Sequence, residues 1–153
     1  MKRIVIMNCI TISLIVILSY ISTPNNQILA NHHLIIGFGA VIVFMSVLWI
    51  VSLLVKDASI VDIFWGPAFI VLGSSLLVSM DQVYSERSLF ILFLVSLWAI
   101  RLASHIGFRN IGHGEDFRYV EWRKESGNNY WWHSFIRVFL LQGGLCTLVG
   151  VSI

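Results

Sequence analysis

Five long apolar runs, Ile4 to Ser22, Leu34 to Val55, Ile60 to Met80, Ser88 to Ile106 and Phe135 to Ile153, are separated by short polar stretches and one longer connection. The apolar residues neither alternate nor form a narrow amphipathic stripe. Runs of about 20 match the helix length needed to cross a hydrocarbon layer roughly 30 Å thick. The pattern predicts an all-α, polytopic transmembrane helix bundle of about five spans, with residues 1–153 as a single transmembrane domain. Lys2 and Arg3 before the first run also allow a cleaved signal peptide. That run is long for a signal peptide's apolar region, however, and no Ala-x-Ala site follows, so a retained helix is expected. Thr23-Pro24-Asn25-Asn26 carries the turn chemistry that closes it. The second run holds no ionisable group.

Composition strengthens this reading. Of 153 residues, 58% are hydrophobic and 12% charged, against about 25% charged in soluble domains, and the mean hydropathy is +0.85. The length leaves no room for a second folded domain outside the bilayer, so function is expected in the helices and the long connection. A net charge of +2 supplies no polybasic arm, and no nucleic-acid partner is expected. Cys9 and Cys146 lie within apolar runs, where a thiol behaves as a small hydrophobe.

Charge placement says more than charge total. With a cytoplasmic N-terminus, Lys2, Arg3, Lys56, Arg101, Arg109, Arg118, Arg123, Lys124 and Arg137 fall on or near the cytoplasmic side, and Arg87 alone falls outside. The positive-inside bias therefore predicts that orientation, with a short turn at 56–59 and a long connection at 107–134 on the cytoplasmic side. No internal repeat, charge ring or selectivity-filter sequence points to a transporter or channel.

Polar side chains in such spans need partners. Asp62, Trp65, Gly66, Phe69 and Gly73 share one face of the third span. Asp62 reads equally as a functional carboxylate or as an interfacial residue that caps or ion-pairs its helix. Pro67 just beyond suggests a kink. In the fourth span Trp98, Arg101 and His105 follow one another at three- and four-residue steps, and Arg109 extends the stripe. A guanidinium suits phosphate or carboxylate, while the plainer readings are snorkelling of Arg101 or its pairing with Asp62. In the connection, Gly112 and Gly114 permit a tight turn, Glu115 to Glu125 predicts an interfacial helix, and Tyr130, Trp131 and Trp132 suit the headgroup zone. His113, Glu115 and Asp116 lack a recognised ligand spacing, as do His32 and His33, and no metal is expected. Arg137 and Gln142 in the fifth span are expected to face other helices, with Gly143 and Gly144 allowing close approach.

The set Asp62-x-x-Trp65-Gly66, Leu97-Trp98-x-x-Arg101-Leu102, Arg109, Gly114-Glu115-Asp116-x-Arg118-Tyr119 and Phe135-x-x-x-Phe139-x-x-Gln142 resembles the uncharacterised bacterial branch of the steroid 5-alpha-reductase-like membrane proteins, over roughly Asp57 to Gln142. Gly-Glu-Asp-x-Arg-Tyr is its most specific part. The resemblance implies a reductase of the bacterial cytoplasmic membrane. In such an enzyme a nicotinamide cofactor, usually NADPH, enters from the cytoplasmic side and reduces a carbon–carbon double bond conjugated to a carbonyl in a lipid or steroid. It also implies a C-terminal half, with further helices and an Arg-His-Pro-Asn-Tyr-like motif, that this sequence lacks. The chain is thus expected to correspond to an N-terminal portion, partnered by membrane lipid and by either the missing half or further copies of itself. By resemblance and position, Arg101, Arg109, Glu115, Asp116, Arg118 and Tyr119 are the expected cofactor-binding residues. Asp62, Trp65, Trp98, His105, Arg137 and Gln142 are the polar groups within the membrane, and no catalytic acid is assigned. The competing expectation is a small non-catalytic bundle or oligomer subunit, with Asp62, Arg101 and Arg137 as fasteners.

Overall fold

The computed structural model of the chain describes residues 27–79 and 85–150, and the predicted first span, with the turn after it, lies outside them. Two compact units divide at residue 33, and residues 33–153 make up the unit considered below. In chain order the helices are α1 (Gln27–Val55), α2 (Ile60–Ser79), α3 (Glu86–Asn110) and α4 (Phe117–Ser126). A 3-10 turn (Gly127–Asn129), α5 (Tyr130–Ser134), a π-helical turn (Phe135–Leu140) and α6 (Leu141–Gly150) complete the run. No strand occurs among the described residues. Four helical runs are long and apolar enough to cross a membrane: His32–Val55, Ile60–Ser79, Glu86–Asn110 and Phe117–Gly150. The last is broken at Gly127, whose φ of 51° ends α4. The apolar part from Tyr130 to Gly150 is about 31 Å long at 1.5 Å per residue, enough to span by itself.

These helices are the second to fifth predicted spans; α1 and the last run start earlier than expected and α3 is longer at both ends, whereas α2 keeps its predicted start. Hydropathy marks where apolar residues stop, whereas a helix continues through Arg and His, which have no difficulty adopting it. So α3 runs beyond the predicted Ser88 to Ile106, and of the long predicted connection only residues 111–116 are non-helical. The predicted interfacial helix is present as α4, starting two residues later than expected because Asp116 is its N-cap.

Packing follows from small residues at the contacts. The core is made of Val41, Met45, Leu48, Val61, Ala68, Phe69, Leu72, Val138, Phe139 and Cys146, and Cys146 is a free thiol within it. Helices α2 and α3 lie against each other, and α2 also meets α6. A Cβ on Gly66 would sit 3.0 Å from the Ala99 carbonyl oxygen, so glycine at 66 is what lets α3 approach α2 this closely. Helix α1 ends in a Schellman arrangement: Lys56 takes φ 57°, and the Asp57 N–H donates to the Ser52 carbonyl at 3.0 Å. That sharp reversal brings the start of α2 to one end of the bundle, beside the α3–α4 loop.

A candidate functional site at the charged end of the bundle

The α3–α4 loop turns back through Gly112 (φ 80°) and Gly114 (φ 70°), conformations that glycine adopts without steric cost. The turn sets α4 over the first turn of α2. Asp116 caps α4, its Oδ1 accepting the Arg118 backbone N–H at 3.0 Å. The same carboxylate accepts from Arg118 Nε at 3.0 Å and Nη2 at 3.1 Å. Arg118 Nη2 also donates to Asp62 Oδ2 at 3.1 Å, and the buried Tyr119 donates its hydroxyl to Asp62 Oδ1 at 3.1 Å. Asp62 thus satisfies both oxygens across the α2–α4 contact. Hydrogen bonding to Arg118, the largest influence, holds the Asp116 carboxyl below its usual range.

A second ion pair lies beside the first. Glu115 accepts from Arg123 Nη2 at 2.8 Å and Nε at 3.1 Å, a bidentate arrangement. Glu115 Oε1 also accepts the Ala58 backbone N–H at 2.8 Å, a donor with no intrahelical partner because it precedes α2. Arg123 Nη2 donates onward to the Lys56 carbonyl at 3.2 Å, and its guanidinium lies 4.2 Å from the centre of the Tyr130 ring. Asp57 Oδ1 accepts both the Ser59 backbone N–H, at 2.8 Å, and the Ser59 hydroxyl. The α1–α2 turn is therefore clipped on two sides by residues more than 50 positions away.

The other expected residues do not join this network. Asp62 pairs with Arg118, so the anticipated pairing with Arg101 is absent. Arg101, His105 and Arg109 are exposed along α3. Arg109, His113, Glu115, Asp116, Glu121 and Lys124 line an open cavity of about 880 Å³ over the loop. Deeper in, Trp65, Phe69 and Trp98 meet edge to face, with centroids 5.1, 5.6 and 6.4 Å apart, beside an apolar cavity of about 390 Å³. Trp65 Nε1 is buried without a hydrogen-bond partner. Arg137 is exposed in the π-helical turn and Gln142 is half-buried. The described residues hold no group of three or more potential metal ligands.

Sequence reasoning missed Arg123, Lys56 and Ala58 as partners. Glu115 and Arg123 are eight residues apart, a spacing that brings side chains together only once the cap at Asp116 and the return of the loop are in place.

Residues 48–153 match DUF1295, described as a protein of unknown function. The chain belongs to this family. No curated protein and no solved structure matches it. The DUF1295 match takes in every element of the charged end, from the close of α1 through the loop to α6.

Proposed function

We propose that this DUF1295 protein is the membrane-embedded part of a reductase acting on conjugated enone lipids or steroids, with NADPH held at the charged end. The observation that carries the reading is the meeting of two distant motif blocks. Asp62, of the first, receives hydrogen bonds from Arg118 and Tyr119, of the second, and the second block, through Gly114, Glu115 and Asp116, borders a cavity with Arg109 and Lys124 on its wall. Lys56, Arg109, Arg118, Arg123 and Lys124 gather at this end, whereas Arg87 stands at the far end of α3, which supports a cytoplasmic position for it.

The side chains present fit the phosphate-bearing part of such a cofactor. Arg109 and Lys124 line the cavity, and neither takes part in an ion pair among the described residues. Glu115 and Asp116 next to them are neutralised by Arg123 and Arg118, which leaves Glu121 as the unpaired acid on that wall. Arg118 is already committed to two carboxylates, so its role is to position the loop. When bound, NADPH supplies the hydride that adds to the β carbon of the enone, while a proton from water adds to the α carbon. The apolar cavity at Trp65, Phe69 and Trp98 offers a route for the acyl or ring system from the bilayer. The proposed activity is that of the chain together with the further helices that the resemblance implies.

The test is NADPH titration of the protein in lipid nanodiscs, together with a C-terminal region of the reductase type. Salt-sensitive binding that is tighter for NADPH than for NADH supports the proposal. Replacing both cavity cations (Arg109→Ala and Lys124→Ala) should weaken it by about tenfold, as expected for losing charge-assisted phosphate contacts. Absence of binding, or of enone-dependent NADPH oxidation, removes the reductase reading. A second reading, a non-catalytic bundle, is favoured by one observation: Asp62, Glu115 and Asp116 are all satisfied internally. It predicts that these substitutions change neither ligand binding nor stability.

A further inference from the structure

Two buried polar atoms find no hydrogen-bond partner among the described residues, the Tyr130 hydroxyl and Trp65 Nε1. Their surroundings differ. Tyr130 lines a space of about 10 Å³ with Ser126, His133, Ser134 and Arg137, room for one water among groups that can hold it. Trp65 stands instead on the wall of the apolar cavity of about 390 Å³, whose other walls include Phe69, Leu94, Val95 and Trp98. Apart from the two indoles no polar side chain lines that cavity, so it offers a water too few partners. An indole N–H kept from water without an acceptor costs free energy, which an acceptor entering with an apolar molecule would recover.

The lining also says what kind of molecule carries the acceptor. It holds no charged side chain, which disfavours a phosphate or carboxylate head and fits an uncharged carbonyl. A second apolar cavity, of about 410 Å³, shares Phe69 and Val95 with the first and runs on to Ser88. From Trp98 to Ser88 is about 15 Å along the axis of α3, so the two cavities together match a long apolar tail. Trp65 lies one turn beyond Asp62 on the same face of α2, about 4.5 Å along the axis, and a carbonyl held there sits next to the charged end. Phe69 is 4% exposed and fixed in the core, whereas Trp98 is 42% exposed and meets Trp65 edge to face at 6.4 Å. Trp98 is therefore the ring able to move and uncover the indole.

We infer that Trp65 Nε1 donates a hydrogen bond to the carbonyl oxygen of an uncharged, long-tailed lipid whose tail fills the two apolar cavities, with Trp98 as the gate over this donor. Only the identification of that carbonyl with the substrate enone's rests on the reductase reading. Hydride addition at the β carbon builds negative charge on the carbonyl oxygen, and a fixed N–H beside it stabilises that charge without giving up its proton.

The test needs no NADPH. A dodecyl-substituted cyclohexenone, isotopically labelled at its carbonyl carbon, is added to the full chain in phosphatidylcholine nanodiscs, and its carbonyl stretch is recorded by infrared difference spectroscopy against empty nanodiscs. The wild type should give a saturable band at lower frequency than the lipid-dissolved enone. Trp65→Phe keeps an aromatic ring but removes the donor; it should abolish that band and weaken enone binding, measured by titration calorimetry, by about fivefold. Trp98→Ala should keep the band and speed its appearance after mixing. Absence of a shifted band in the wild type, or its survival in Trp65→Phe, overturns the inference. Dodecylcyclohexene, which lacks the carbonyl, should bind wild type and Trp65→Phe equally; an equal loss for it too would trace the effect to packing and overturn the donor role. A shifted band without enone-dependent NADPH oxidation removes the reductase reading and leaves the carbonyl site standing, and oxidation without the band does the reverse.

Discussion

The α2–α4 clip and the outer stripe of α3 are built from the same kinds of side chain, yet the bundle treats them in opposite ways. In the clip, Arg118 and Arg123 are each held by carboxylates at 2.8 to 3.1 Å. On the stripe, Trp98, Arg101, His105 and Arg109 follow helical spacing just as regularly and are all exposed. Spacing therefore shows which residues share a face but not whether that face is occupied. The paired cations fasten the turns of the bundle, and those on the stripe form no ion pair among the described residues.

Breaking the clip at its most buried carboxylate should have the largest effect. Glu115 has a side chain only 10% exposed, and Glu115→Ala strands both Arg123 and the Ala58 N–H. We expect a loss of about 2 kcal/mol, measured by SDS-induced unfolding in mild detergent followed by far-UV circular dichroism. Tyr119→Phe removes one hydrogen bond from Asp62 and should cost about 1 kcal/mol in the same assay. A smaller effect should appear on acidification. The Asp116 carboxyl is depressed from its ordinary 3.8 by Arg118, so its contribution is complete above that value and disappears as pH falls through the lower folded-state value. Asp116→Asn should flatten the stability profile below about pH 4; an unchanged acid limb would mean that the cap carries no linkage. On the stripe, Arg101→Leu should alter the stability of the isolated chain by less than about 0.5 kcal/mol, since no described residue forms an ion pair with Arg101. A large loss there would erase the contrast between the two regions.

Much of the fold was legible in the sequence because the bilayer imposes a length on every span, and four apolar runs became helices close to where they were expected. The turn at Gly112 and Gly114 and the helix after it were legible from local chemistry as well. The partner of Asp62 was not. Helical spacing made Arg101 a candidate, and the choice of Arg118 and Tyr119 depends on two positive-φ glycines reversing the chain by just enough to set α4 on α2. The π-helical turn at Phe135–Leu140 left no mark in the apolar pattern either, since one extra residue per turn changes no residue type. Arg123 went unnoticed for a related reason: a pair formed across a cap has no fixed sequence spacing.

The account stands most directly on the identity of Asp62's partner, and a pair of double-mutant cycles decides it. Unfolding free energies would be measured for Asp62→Asn combined with Arg118→Ala, and for Asp62→Asn combined with Arg101→Leu. The account predicts a coupling of about 1 kcal/mol in the first cycle and less than about 0.3 kcal/mol in the second. Coupling to Arg101 with none to Arg118 would contradict it.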